Sequence, residues 1–219
     1  MSAEAAPSRR LRIDFVSDVV CPWCLIGLAN LERALAQVAD EVSVDLVFHP
    51  LQLNPGLPPE GEAVADNMAR KYGITPDEAR TRGGAVRAAA EEAGVSLAGR
   101  PDRLYDTFDA HRLLHWACEK GQQRALKHAL LAAHFTHGRN VSDHAVLADA
   151  AADVGLDRAE AIEVLAKGRY ATAVHDDEIA WRAEGITAVP TMVIDREFVI
   201  SGAQAPERIA RALRKLAAR

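Results

Sequence analysis

Hydrophobic and polar positions change rhythm several times along this chain. In "LRIDFVS", Leu11, Ile13 and Phe15 share one face and Val16 follows, the two-residue alternation of a strand. Apolar residues then return at Leu28, Leu31, Leu35 and Val38, and these steps of three and four mark one stripe of an amphipathic helix. "VSVDLVFH" alternates again, with Val42, Val44, Leu46 and Phe48 on one face. The opening is therefore β-α-β, and a helical crossover between strands favours a parallel pair. The ten residues before it are polar and are expected to be loose.

The middle has a different pattern. "PLQLNPGLPPEG", Pro50 to Gly61, is a proline-rich loop. From Glu62 to about Gly168 the spacing is helical and no strand is evident. Ala110, Leu113, Leu114, Ala117 and Cys118 form one stripe; Leu126, Ala129, Leu130 and Ala133 form a second; Val146, Leu147, Ala150 and Val154 form a third. Gly121, Gly138, Gly155 and Gly168 sit where helices should stop. Four to six helices are expected, with no fixed-period repeat.

The end is mixed. "ATAVHDDEIAWRAEG" reads as a helix closed by Gly185, and "TMVID" and "EFVIS" read as a hairpin turning near Asp195 and Arg196. "APERIARALRKLAAR" is a last helix, with Pro206 in its first turn and Arg214, Lys215 and Arg219 near its C-terminus. Without the helical block, the order β-α-β then α-β-β-α is that of the thioredoxin fold. The predicted architecture is an α/β domain made of 1–49 and 170–219, interrupted by an all-helical insertion over 50–169.

Composition narrows the function classes. The chain has 219 residues, 49% hydrophobic, enough for a substantial core, and its formal net charge of -5 gives no basic footprint for nucleic acid. It lacks the roughly 18 uninterrupted apolar residues of a membrane span. "MSAEAAPSRRLRIDFVSD" has no apolar core of a secretory signal, so a cytoplasmic location is expected. Three cysteines cannot staple a chain of this length as a disulfide scaffold.

Two of those cysteines, Cys21 and Cys24, lie in "SDVVCPWCLIGLANL", between the first strand and the first helix. Pro22 suits the first helical position, so unpaired N–H groups and the positive end of the helix dipole point at the Cys21 sulfur. Both favour thiolate over thiol. Cys24 is one turn on and should be more buried. An exposed, low-pKa sulfur beside a sheltered one suits disulfide exchange, in which the first attacks and the second resolves the mixed disulfide. Trp23 covers the pair with an apolar face but adds no charge, which leaves the helix-end N–H groups as the main expected source of thiolate stabilisation. Zinc is the competing use of C-x-x-C, but it needs about four ligands and no second such pair is present. His111, His115 and Cys118 lie on one side of a helix and could hold a metal, although Cys118 also completes an apolar stripe; no metal is expected. C-x-x-C in a β-α-β unit is the redox placement.

Val189-Pro190, in "GITAVPTMVI", precedes a strand. In a thioredoxin fold this loop faces the cysteine pair. A cis bond there would free the backbone groups of Val189 to pair with an extended substrate. Asp14 and Asp18 flank the pair in sequence, and either carboxylate could relay a proton for Cys24; Asp18 could instead organise the turn before the helix.

The segments "SDVVCPWCLIG", "QLNPGLPPEG" with "KYGI", "TFDAHRLLHWA", "GITAVPTMVID" and "ISGAQAPE" together resemble the DsbA-like thiol oxidoreductases, and within them the FrnE-like dithiol-disulfide isomerases. The resemblance covers nearly the whole chain after residue 10. It implies a thioredoxin fold with a helical insertion, Cys21 as nucleophile, Cys24 as resolving thiol and Pro190 as a cis proline. Kappa-class glutathione transferases and hydroxychromene carboxylate isomerases share this architecture, but they typically carry a serine or a lone thiol at the first position.

The leading expectation is an oxidoreductase or isomerase for protein or small thiol and disulfide substrates. It needs no cofactor beyond its own dithiol, with glutathione as an optional co-substrate, and acts as monomer or homodimer without nucleic acid or membrane partners. A glutathione-dependent transferase or isomerase and a non-catalytic, chaperone-like binding module are the alternatives.

Overall fold

The computed structural model describes residues 10–219. The expected loose start lies outside the described residues, except for Arg10, which already belongs to the first strand. The elements run β1 (Arg10–Ser17), α1 (Pro22–Gln37), β2 (Ser43–Pro50), β3 (Glu62–Ala63), α2 (Val64–Tyr72), α3 (Pro76–Ala93), β4 (Arg103–Leu104), α4 (Phe108–Glu119), α5 (Gln123–Phe135), α6 (His144–Asp153), α7 (Arg158–Ala166), α8 (Ala171–Ala183), β5 (Thr191–Ile194), β6 (Phe198–Ser201) and α9 (Pro206–Ala217). The β3–β4 ribbon corrects the expectation of a strand-free middle. Two residues on each side are too few to show an alternation in sequence.

One mixed sheet has the order β2-β1-β5-β6. β1 and β2 run parallel, with Ile13 opposite Leu46 and Phe15 opposite Phe48. β5 is antiparallel to β1, and β6 closes the hairpin. The hairpin turns through Asp195, Arg196 and Glu197: Asp195 and Arg196 are at positive φ (50° and 60°) and Glu197 N–H donates to Ile194 C=O (3.1 Å), closing the turn. Asp195 also accepts the Arg12 N–H at 2.8 Å through its side chain, fastening the turn to β1.

Alternation in β1 sends Leu11, Ile13 and Phe15 to one face, where they pack with Leu28 and Leu31 of α1 and Ile209 and Leu213 of α9. A second core lies within the helical block, around Leu113, Ala117, Leu126, Leu130 and Leu147. Two joints lock the cores together. Leu131 and Phe135 of α5 enter the sheet core, while Val19 and Val20, just before the cysteine pair, are buried in the helical core. Arg112, almost wholly buried, donates to the carbonyls of Val164, Leu165 and Arg169 and so satisfies the C-terminal end of α7.

The proline-rich loop after β2 is held by carboxylates. Leu53 N–H donates to Asp18 (2.8 Å), Gln52 N–H to Glu178 (2.6 Å) and Gly56 N–H to Asp106 (2.6 Å). These bonds give a segment without regular structure fixed partners for its backbone donors.

On the other face of the sheet, His49 joins three elements. Its Nε2 lies 2.8 Å from Asp14 on β1 and its Nδ1 lies 2.8 Å from Asp177 on α8. Arg12 adds bonds of 2.9 and 2.7 Å to the same Asp14 oxygen. Burial alone would raise the Asp14 pKa, but His49 and Arg12 hold it below its ordinary 3.8. Burial alone would lower the His49 pKa, but the two carboxylates raise it above its ordinary 6.5.

The raised histidine contributes stability that is full below about 6.5 and lost as pH rises through its folded value; the depressed Asp14 contributes above about 3.8 and loses this as pH falls. Replacing His49 with leucine is therefore expected to cost on the order of 3 kcal/mol near pH 6, where a buried pair is broken, and clearly less near pH 9. Denaturant unfolding at the two pH values checks this; equal losses would show that the imidazole is not charged in the fold.

Candidate active site

β1 ends at Ser17, and the chain turns through Asp18, Val19 and Val20 into α1. Cys21 is the residue capping that helix, in extended backbone geometry (φ -88°, ψ 115°), with Pro22 in the first turn. Its N–H donates to Asp18 C=O (3.4 Å), and its own C=O accepts from Cys24 N–H (3.0 Å). Both cysteines are free thiols.

The expected contrast between an exposed and a sheltered sulfur is corrected: Cys21 is 4% exposed and Cys24 0%. The chain on either side of Cys21 is packed, with Val19 and Val20 in the helical core and Pro190 against α1, so this helix end lies beneath the surface. Trp23 is 37% exposed and forms the accessible part of the motif.

What separates the two sulfurs is electrostatics. The Cys24 thiol, hydrogen-bonded to Cys21, lowers the Cys21 pKa most; burial opposes it, the Cys24 N–H assists, the Asp18 charge opposes and the Trp23 N–H assists. The net direction is down. The helix-end N–H groups were expected to dominate, and they rank behind the neighbouring thiol because burial lets one short-range donor outweigh them. In the thiol form Cys21 makes no capping hydrogen bond, so these donors act on the thiolate. Cys24 moves far in the opposite direction, raised by burial, by its bond to Cys21 and by the Cys21 charge.

The two flanking carboxylates have different places. Asp18 is wholly buried behind the pair, and its N–H donates to Cys24 Sγ at 3.4 Å. Its carboxyl would rise on burial but is held low by His111, Leu53 N–H and Thr107. Asp14 is held in the network with Arg12 and His49 on the far face of β1, where strand alternation sends it; its bonds there leave it no contact with the dithiol.

His111, His115 and Cys118 do not converge. His111 turns inward to Asp18, His115 lies against Tyr170, and Cys118 is exposed rather than completing the apolar stripe. The buried position beside Ala117 is taken by Trp116, whose larger surface gains more from burial. Among the described residues no group of three or more His, Cys, Asp or Glu is placed to hold a metal.

The Val189–Pro190 peptide bond is cis. Pro190 C=O accepts from Gly202 N–H at 2.8 Å, and Thr191 Oγ1 donates to Ala188 C=O at 2.8 Å. No main-chain hydrogen bond engages Val189 among the described residues. Pro190 meets α1 at Gly27: a Cβ there would lie 2.8 Å from the proline Cγ and 3.4 Å from its Cβ.

Four residues of this neighbourhood escaped the sequence reading. Gly27, a glycine inside a helical pattern one turn beyond the pair, carried the signal of close backbone approach. Lys127 and His134 are fully buried on α5, at the register of the apolar Leu131. A polar residue at such steps was the available signal. Half-buried Arg100 had none, because only the fold sets it within reach of the Cys21 charge.

A thioredoxin fold with a helical block inserted after its second strand, and a C-x-x-C dithiol at the start of its first helix, defines a class. The profile of the DSBA-like thioredoxin domain matches residues 12–214, and the chain belongs to that family. A probable DsbA oxidoreductase from Streptomyces coelicolor is 36% identical, with 94% of this chain and 89% of that one covered and a TM-score of 0.84. The uncharacterized protein YwbO of Bacillus subtilis is 27% identical over 195 residues, 88% of this chain and 90% of that one. The cytosolic disulfide reductase DsbM from Pseudomonas aeruginosa, solved with GSH, shares the fold at 19% identity and a TM-score of 0.64, with 95% of this chain and all of that one (100%) covered.

The Gly27 contact gives a test with a built-in control. Alanine in a helix ordinarily gains about 1 kcal/mol over glycine. At Gly27 the rigid proline ring cannot give way, so Gly27→Ala is expected to destabilise by about 1–3 kcal/mol. Gly83→Ala on α3, where the new atom meets only the end of Arg87 at 3.6 Å, is expected to be neutral or stabilising. Chemical denaturation of both variants decides the point, and a gain at Gly27 would show that the proline does not press on the helix.

Proposed function

We propose that the protein is a thiol-disulfide oxidoreductase or isomerase that works through Cys21 and Cys24. The observation that carries this reading is the placement of the pair in a chain of the DSBA-like thioredoxin family: Cys21 caps α1 and Cys24 lies one turn on, with the Asp18 N–H on its sulfur; the surroundings push the Cys21 pKa down and the Cys24 pKa up. Cys21 ionises first and is the attacking sulfur. Its thiolate attacks a substrate disulfide, forming a mixed disulfide and releasing one substrate thiolate. Cys24 then attacks Cys21 Sγ, which closes the dithiol into a disulfide and releases the second substrate sulfur. If a substrate thiol resolves the intermediate instead, the outcome is isomerisation. The reverse sequence oxidises a dithiol, and the reduction potential of the surroundings selects the direction.

Val189 supports substrate docking. Its main-chain groups have no partner among the described residues, so an extended chain can pair with them beside the dithiol. Exposed Trp23 offers that chain an apolar surface. The assignment to the FrnE-like group rests on the sequence motifs, and the cytoplasmic location rests on the character of the opening residues.

Arg100 favours a role for glutathione as co-substrate. Its guanidinium has no ion-pair partner among the described residues and feels the Cys21 charge, a fitting place for the carboxylate of a small anionic thiol.

Insulin disulfide reduction tests the main reading. Cys21→Ser is expected to reduce the rate to background, and Cys24→Ser to accumulate a mixed disulfide visible by mass spectrometry. Reduction that survives Cys21→Ser would overturn the assignment. Alkylation of Cys21 across pH should reach half its maximal rate below the ordinary thiol value of 9.0.

A further inference from the structure

Resolution of the mixed disulfide needs Cys24 as a thiolate, yet Cys24 is wholly buried, and burial is the largest cause that holds its pKa up. The side-chain charges acting on it are that of Cys21 on its own helix, which raises its pKa, and that of Lys127 on α5, which lowers it; Asp18 on the preceding loop helps through its backbone N–H.

Lys127 is 0% exposed, and its Nζ has no hydrogen-bond partner among the described residues. An unanswered buried ammonium costs several kcal/mol, so the charges it faces matter. Burial pushes the Lys127 pKa below its ordinary 10.5, and the negative charges of Cys24, Asp18 and Cys21, in that order, act against this to keep the ammonium. Helix register explains the placement. Leu28 of α1 and Leu131 of α5 share the sheet core, and Cys24 and Lys127 each lie one turn before them.

Lys127 also lines a small cavity with His49 of β2, His111 and His115 of α4, Gln123 of its own helix and Asp177 of α8. Its volume of about 10 Å³ is close to what the centre of one water molecule needs, and its walls mix polar side chains with apolar ones such as Leu114 and Val174. His111 Nε2 stands 3.4 Å from Asp18 Oδ1, within ion-pair reach but without an aligned hydrogen bond. Lys127 thus borders a cavity of mixed polarity, and its helix packs in one core with the helix that carries the dithiol.

We propose that Lys127, supplied by the helical insertion, is the positioning residue that makes Cys24 a competent resolving thiol by stabilising its thiolate. The inference rests on the dithiol-exchange reading above. In the step concerned the Cys24 S–H bond ionises, a bond forms between Cys24 Sγ and Cys21 Sγ, and the bond from Cys21 to the substrate sulfur breaks. The electron pair leaves on the substrate sulfur, which takes up a proton; the Cys24 proton passes to solvent. The dithiol is oxidised by two electrons and the substrate disulfide is reduced by two.

The test uses the full chain with Cys21 loaded as a mixed disulfide with a chromophoric aromatic thiol, and follows release of that thiol against pH. In Lys127→Met the midpoint of release is expected to move to higher pH. The rate near neutral pH should fall about tenfold for each pH unit of that movement, and the profiles should converge in strong alkali. Alkylation of Cys21 in a Cys24→Ser background should change much less on the same substitution. Lys127→Gln, polar and uncharged, should behave like Lys127→Met and serves if the methionine variant does not fold. A wild-type pH midpoint in either folded variant would overturn the role of Lys127. Unchanged thiol release in Cys24→Ser would instead overturn the dithiol reading itself.

Discussion

The site depends on how one buried residue, Asp18, is satisfied. Its carbonyl accepts the Cys21 N–H, its N–H reaches Cys24 Sγ, and its carboxylate accepts the Leu53 N–H. A carboxylate taken wholly out of water survives only when its oxygens are answered. Here Leu53 N–H, from the loop after β2, answers one oxygen, and His111 of the helical block stands 3.4 Å from the other without an aligned hydrogen bond. The turn that delivers the dithiol to its helix is thus tied to the two parts of the chain that cover it.

The same logic explains why the helical block is more than an appendage. α5 contributes Leu131 and Phe135 to the sheet core and Leu126 and Leu130 to the helical core, so it packs on both sides. Val19 and Val20 reach back into the block immediately before Cys21. Separating the two parts would expose these apolar surfaces along with Lys127 and Asp18. The hydrophobic effect therefore holds the charged groups where the dithiol can feel them. Burial also sets the balance at the sulfurs. With both cysteines out of water, short-range donors and a few buried charges decide which one ionises, and a solvent-exposed pair would not show so large an asymmetry.

Much of the fold was legible in the sequence because periodicity reports burial on a single element. The alternation of Leu11, Ile13 and Phe15, the three-and-four steps of Leu28 and Leu31, and the turn at Asp195 and Arg196 all describe local geometry, and all are present in the structure. The β3–β4 ribbon was too short to leave a pattern. Cys118 was misplaced because neighbouring helical positions compete for the same core, and only the packed partner decides that Trp116 goes in. Asp14 and Asp18 looked equivalent in sequence; they lie on opposite sides of the dithiol question because one is in a strand with alternating faces and the other is in the turn that follows it.

The sequence alone determined the β-α-β opening, the helical block and the location of the C-x-x-C pair at a helix start, since each is a matter of residue type at a given spacing. Only the tertiary structure decided that Cys21 is buried, that Gly27 makes room for Pro190, and that Lys127 acts on the pair from more than a hundred residues away. Those facts are distances between elements remote in sequence. They are set by how two cores pack together, which no local pattern records.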